Sequence, residues 1–375
     1  MKAKKSATSG SFENNEESSS TAGRWEPFLF NPKAPIPPEE PIYEGLLAKG
    51  DLAIWLGREK HRKSSVLLQF AICGALGRHF LHFPFRPPQA LKVVVLDYES
   101  KSQTIKNRYA AIVAAMGLSD VEQNALQERL KIIEMRKAFR YGLKFARFPV
   151  RPEKGNTEEF NQAEAEWRSF VRNMAGDIYI IDPMRCMHAQ AENDSALEAL
   201  LTRIHLIFGD ASVLISHHLR KRDRNPGHQH SLMADMRVWA DEARGSSTIT
   251  AHADIIVCQE REVLGGIETL HLGAYLRDAA DIEPMVLRES SSGSFLWHVA
   301  PDIPAELEMC LDALRQAGGV FPTRTAAAAV LQDTARAGRS TAFTRINDLI
   351  SRGLLIDYGG ELKVKETMDD IGKAQ

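Results

Sequence analysis

Residues 51–76 read DLAIWLGREKHRKSSVLLQFAICGAL. A short apolar run ends at Leu56, a glycine and a charged turn follow, and an apolar segment at helical spacing starts at Ser64. Strand, tight loop and helix is the context in which free N–H groups and the positive end of a helix dipole face an anion. The phosphate-cradling pattern is GxxxxGK[ST]. Gly57, Lys63 and Ser64 fall on it, with Ser65 next, but arginine stands at position 62, where the pattern has its second glycine. Glycine is favoured there because the backbone must approach phosphate without a Cβ, and a non-glycine residue in a strained backbone region costs about 1–3 kcal/mol. Arg58, Lys60, His61 and Arg62 also make the loop strongly cationic. A basic surface turn is the plain reading of these residues alone.

The flanking sequence favours the phosphate loop. Further apolar runs are LKVVVLDYE (91–99), LKIIEM (130–135), DIYIID (177–182), ASVLISHH (211–218) and ADIIVCQE (253–260). Helical spacing fills the gaps between them at 64–76, 102–117, 157–176 and 193–208. Alternating strand and helix predicts an α/β fold, a mostly parallel sheet flanked by helices on both faces. IETLHLGAYLR (267–277) and SFLWHV (294–299) read as antiparallel additions at one edge. In such a sheet the ligand crevice lies at the C-terminal ends of the strands. Asp97, Tyr98 and Glu99 end one strand, Asp182 ends another after an apolar run, and Ser216, His217 and His218 end a third. An aspartate in the place of Asp182 suits magnesium held partly through water.

Residues 1–42, rich in Ser, Glu, Asn and Pro, are expected to form a disordered tail. The α/β core is expected over 43–298 and a proline-bearing linker over 299–304. Residues 305–375 read as three helices (305–317, 323–335, 340–352) and a hairpin around Gly359-Gly360, the order of a small winged-helix-like domain.

The 375 residues carry 47 Lys+Arg against 49 Asp+Glu, a net charge of −2, which excludes a uniformly basic DNA packager and an acidic solvating protein alike. Any nucleic-acid contact must therefore be local. The run HHLRKRDRNPGH (217–228) supplies Arg220, Lys221, Arg222 and Arg224 on a Gly/Pro-broken segment, suited to a phosphate backbone. No apolar run is long enough to span a membrane, the N-terminus lacks the apolar core of a signal peptide, and the four cysteines are scattered. A reducing cytoplasm is the expected compartment.

With GREKHRKSS, VVVLDYES followed by Arg108, YIIDPMRCMHAQAENDS, LISHHLRK and RGSSTITAHADIIV in this order, residues 43–280 resemble a RecA-like P-loop ATPase of the RepA-type hexameric replicative helicase group. The resemblance implies ATP and Mg2+ as cofactors, with Gly57, Arg58, Arg62, Lys63, Ser64 and Ser65 at the nucleotide and Ser64 and Asp182 at the metal. It implies that Glu99 activates the attacking water, that Lys63 holds phosphates, and that His218 senses the phosphate-proximal end of its strand. Arg244 matches a family position facing nucleotide across a subunit boundary. The partners implied are single-stranded DNA, contacted by the pore-facing loop of Arg220–Arg224, and further copies in a ring, commonly a hexamer. The expected role is a motor or loader in replication, recombination or mobile-element maintenance. Arg62 departs from the family pattern and leaves two readings open: slow hydrolysis, with Arg62 adding positive charge to the phosphate site, or a non-hydrolysing adaptor that assembles and binds DNA or a protein through its winged helix.

Overall fold

The computed structural model describes residues 40–81, 85–142, 147–149, 157–188, 194–219, 231–243, 246–264, 267–300, 305–334, 338–352 and 354–364. The residues expected to form the tail lie outside these up to position 39, as do linker residues 301–304. A short hairpin, β1 (Pro41–Tyr43) and β2 (Leu47–Ala48), opens the described chain. Then come β3 (Leu52–Gly57), α1 (Lys63–Leu76), β4 (Val93–Asp97), α2 (Ser102–Ala115), α3 (Asp120–Arg129), β5 (Leu130–Glu134) and α4 (Met135–Arg140). They are followed by α5 (Thr157–Met174), β6 (Ile178–Asp182), α6 (Met184–Met187), α7 (Asp194–Phe208) and β7 (Ser212–His218). The short helices α8 (Met236–Ala240) and α9 (Ser246–His252) precede β8 (Ile255–Leu264), β9 (Ile267–Leu276), β10 (Ile282–Glu289) and β11 (Trp297–Val299).

These strands form one nine-stranded sheet in the order β11-β10-β9-β8-β3-β7-β6-β4-β5. The six from β8 to β5 are parallel and the rest antiparallel. This is the mostly parallel α/β sheet that the alternation predicts and the RecA-like sheet that the resemblance implies. The central parallel strands β3, β4 and β6 are buried along their whole length and apolar on both faces because helices cover both. Ala53, Trp55, Val93, Val95, Ile178 and Ile180 face the core under α1, while Leu52, Ile54, Val94, Leu96, Tyr179 and Ile181 face the core with α7 and Trp167 of α5. The Val, Leu and Ile side chains among them each contribute about 1.5–3 kcal/mol on burial.

Helix α1 is buried nearly all round, as befits a helix apolar on every face. It ends at Gly77, in the left-handed conformation (φ 68°), with Arg78 N donating to the Cys73 carbonyl at 2.9 Å. Buried Gln69 exchanges two 2.8 Å bonds with the backbone of Trp297, tying α1 to the far edge of the sheet.

Several elements of the core go beyond the sequence reading, α3 and β10 among them. α3 begins with a capping box between Ser119 and Glu122. β10 carries Pro284, which discounts a strand by pattern, but the register shifts between Ile282 and Met285 and absorbs it. After the core come α10 (Ala305–Gln316), β12 (Val320–Phe321), α11 (Arg324–Thr334), α12 (Arg339–Ser351), β13 (Leu355–Tyr358) and β14 (Glu361–Val364). Their small antiparallel sheet, ordered β12-β14-β13, closes over its own apolar cluster, which includes Leu311, Leu331, Ile346 and Leu362. An ion pair between Arg288 of β10 and the buried Glu308 of α10 joins the two parts. Among the described residues, no helix is long and apolar enough to cross a membrane.

Candidate functional site

Parallel register brings the strand ends together: Gly57 lies beside His218 on one side and Gln259 on the other, and Asp97 lies beside Asp182. Gly57 is required sterically, since a Cβ there would stand 2.8 Å from the Gln259 carbonyl oxygen and 3.0 Å from Lys63 Cδ. From Gly57 the chain turns through Lys60 and Arg62, both at positive φ, into α1.

Arg62 adopts φ 64°, ψ 11°, the left-handed conformation that glycine takes freely. Its carbonyl accepts from the amides of Ser65 (3.0 Å) and Val66 (3.2 Å) and from the Ser65 hydroxyl (2.8 Å), closing the first helical turn. Its guanidinium meets Glu268 of β9 in a two-point ion pair, 2.7 and 2.9 Å. Glu268 also binds Arg261 of β8, at 2.9 and 3.1 Å. The hydrogen bonds from Arg62 and Arg261 hold the Glu268 carboxyl down at about 2. The preceding residue is held from the same side: Arg261 N donates to His61 Nδ1 at 3.0 Å and Gln259 Nε2 donates to the His61 carbonyl. Gln259 is itself positioned by Trp55 Nε1 at 2.8 Å. The unfavourable backbone at 62 is thus braced by β8 and β9. The expectation that Arg62 adds positive charge at phosphate meets a guanidinium already bound to a carboxylate.

Two other expected nucleotide contacts are also engaged within the chain. Buried Arg58 forms an ion pair with Glu242, and the Ser65 hydroxyl is spent on the Arg62 carbonyl. Lys63 is held within the loop itself, and Ser64 faces a cleft. Buried Lys63 donates from Nζ to the carbonyls of Gly57 (2.6 Å) and Arg58 (2.9 Å), with His218 Nδ1 at 3.1 Å. Burial lowers its ammonium to about 8, against the opposing pull of Asp182, Glu99 and Glu59. Ser64 lines a cleft with Asp97, Asp182 and Arg108.

The carboxylates form the opposite wall. Asp97 Oδ1 accepts from the amides of Glu99 (3.0 Å) and Ser100 (2.7 Å), a local turn that carries Glu99 out of the strand. Burial, then Asp182 and Asp97, raise the Glu99 carboxyl, and Lys63 opposes them. Asp97 is raised by burial first and by Asp182 as well, while the Ser100 and Glu99 amides pull it down. Asp97 thus joins the site; its place at the end of an apolar run is the signal that marks it in the sequence. Arg136 of α4 reaches the Glu99 carbonyl at 3.3 Å.

Among the described residues no group of three or more His, Cys, Asp or Glu is arranged to hold a metal by itself. Magnesium, which retains waters and takes few carboxylates, fits here only together with phosphate oxygens. Ser64 and Asp182 sharing one cleft beside the buried Lys63 ammonium are a donor set that fits a nucleoside triphosphate with its metal.

Arg220, Lys221, Arg222, Arg224 and Arg244 lie outside the described residues. The chain reaches the first four through Leu219, whose amide donates to the Gly57 carbonyl at 3.4 Å. It reaches Arg244 through Ala243, which bridges Leu219.

No curated protein matches the chain. Among solved structures, it is similar to KaiC-like protein PH0186 from the hyperthermophilic archaeon Pyrococcus horikoshii OT3, at 12% identity and a TM-score of 0.43, over 69% of this chain and 94% of that one. The sequence family described as AAA domain (AAA_25) matches residues 23–224, more than half of the chain, including the phosphate loop, Glu99, Asp182 and His218. The chain belongs to this AAA domain family and is a P-loop NTPase of the RecA-like kind.

Proposed function

We propose that the protein is an ATP-dependent, RecA-fold motor or loader acting on single-stranded DNA, of the RepA-type helicase kind, working as a ring of its own copies. The observation that carries the catalytic half is the meeting, at one sheet edge, of Lys63, Ser64 and three carboxylates, Asp97, Glu99 and Asp182. Lys63 would exchange its two loop carbonyls for phosphate oxygens, and Ser64 and Asp182 would hold magnesium. Bound there, the metal would supply charge neutralisation on the transferred phosphoryl group. Glu99, lifted above the ordinary carboxylate range and carried on the Asp97 turn, orients the attacking water. His218, in contact with Lys63, reports on that position to β7.

The DNA half is supported by the basic run beginning immediately after β7. The adaptor alternative rested on Arg62. Its bracing by Glu268 accounts for a non-glycine residue without loss of the loop, so hydrolysis is the reading we retain. Glu99→Gln tests it: turnover falls about a hundredfold or more while labelled-nucleotide affinity is kept, as expected for a residue acting on the water alone. Unchanged turnover would remove Glu99 from the mechanism. Hydrolysis that single-stranded DNA does not stimulate would remove the motor.

A further inference from the structure

Between β5 and α5 the chain reads MRKAFRYGLKFARFPVR, residues 135–151, with no Asp or Glu from 135 to 152. In a protein with slightly more acids than bases this is an anomaly, and the nucleotide site uses little of it. The described part is α4 and its flanks. Met135 is buried and fixes the helix, while Arg136, Lys137, Phe139, Arg140 and Tyr141 are all exposed. Two of them are large aromatic rings in solvent, Phe139 at 52% and Tyr141 at 76% exposure. Exposed Arg147 lays its guanidinium over the Phe139 ring, 4.8 Å from the centroid. That placement is built. Trp167 Nε1 donates to the Arg147 carbonyl at 3.0 Å, and the next residue, Phe148, is buried against Trp167 and bonded to the Met187 carbonyl at 2.9 Å.

Cations interleaved with exposed aromatic rings suit one kind of ligand. A phosphate backbone takes the charges and its unstacked bases take the rings. A second copy of the chain would need a matching acidic surface. A lipid surface would favour a longer helix with a continuous apolar face, whereas α4 is six residues long and strongly basic. We infer that Lys137, Phe139, Arg140, Tyr141 and Arg147 form a binding site for single-stranded nucleic acid, separate from the run at 220–224. The inference rests on the DNA-acting half of the proposed function and adds a contact surface to it. The site sits at the carboxyl end of β5, at the same edge as Glu99. Arg136, one residue upstream, bonds the Glu99 carbonyl, so strand occupancy lies next to the water-orienting residue.

The test uses the full chain and a fluorescein-labelled oligothymidylate, with affinity read by anisotropy at several salt concentrations. Three variants are compared: Lys137→Ala/Arg140→Ala/Arg147→Ala, Phe139→Ala/Tyr141→Ala, and alanine at Arg220, Lys221, Arg222 and Arg224. All patch side chains are exposed, and unchanged basal hydrolysis certifies that the first two variants fold. The triple charge variant should flatten the slope of log affinity against log salt by about 2, at roughly 0.7 per cation on a single strand. The aromatic variant should bind about ten- to a hundredfold more weakly with the slope kept, and Tyr141→Trp alone should bind as the native chain does. If both patch variants bind like the native protein while the 220–224 variant does not, the patch is refuted and the DNA-acting reading stands. If the native chain binds no oligonucleotide, both fall, whatever Glu99→Gln does to turnover. Anionic vesicles competing fully for the patch, with the aromatic variant unaffected on oligonucleotide, would assign it to a lipid surface and refute the inference.

Discussion

Replacing Glu268 by glutamine tests the bracing of the phosphate loop. Arg62 in a left-handed conformation costs about 1–3 kcal/mol, and something must offset it. The Glu268 carboxyl, held at about 2 against an ordinary 4.5, would contribute about 3 kcal/mol if the whole effect were realised. Its side chain keeps 20% of its surface and that of Arg62 38%, so solvent screening leaves roughly 1–2 kcal/mol, shared between Arg62 and Arg261. Glu268→Gln should therefore destabilise the protein by about 1–2 kcal/mol at neutral pH, measured by urea unfolding. In an Arg62→Gly background the loss should shrink, giving a coupling of about 1 kcal/mol in the double-mutant cycle. The pH dependence has a definite sign. A carboxyl depressed by folding contributes fully above its unfolded value near 4.5 and loses its contribution as pH falls toward 2. The gap between native and variant should thus close with acidification. An equal loss in both backgrounds, or a gap that widens as pH falls, would refute the bracing.

Two other substitutions probe the same loop. Lys63→Met should abolish nucleotide binding yet stabilise the nucleotide-free protein by about 1–3 kcal/mol at neutral pH, because burial lowers the ammonium from 10.5 to about 8. The unfolded chain keeps that proton up to about 10.5, so native stability rises between these values and the variant's advantage should fade in alkaline denaturation curves. A variant less stable at every pH would mean that the bonds to the Gly57 and Arg58 carbonyls outweigh the desolvation. Gly57→Ala puts a Cβ 2.8 Å from the Gln259 carbonyl, which should cost about 1–3 kcal/mol in thermal unfolding and weaken nucleotide affinity. An unaltered midpoint would show that the strand end has room.

The six parallel strands and four of the helices between them are legible in the sequence because burial on both faces leaves uninterrupted apolar runs, as at VVVLD and IYIID. β10 is not, since Pro284 breaks its pattern and only tertiary context supplies the irregular pairing. At the site, spacing marks Lys63, Ser64 and the strand ends at Asp97–Glu99 and Asp182, and the resemblance singles out Glu99. It cannot say where an arginine side chain goes. Arg58 and Arg62 look like phosphate contacts by position and are paired with Glu242 and Glu268, residues about 200 positions away. The patch around Phe139 and Arg140 escapes for another reason: a six-residue helix is too short for periodicity, although a cationic stretch free of acids was visible.

The brace on Arg62 also bears on how the molecule is made. Gln259, Arg261 and Glu268 lie beyond residue 224, where the family match ends. During synthesis at about 5–20 residues per second, the loop leaves the ribosome roughly 10–40 s before its brace. Until β9 pairs with β8, the left-handed turn at Arg62 lacks the Glu268 half of its brace. The nucleotide site is therefore a late product of folding, formed by contacts of long sequence separation. A fragment cut at the family boundary would hold the motif residues but not the strands that brace their loop.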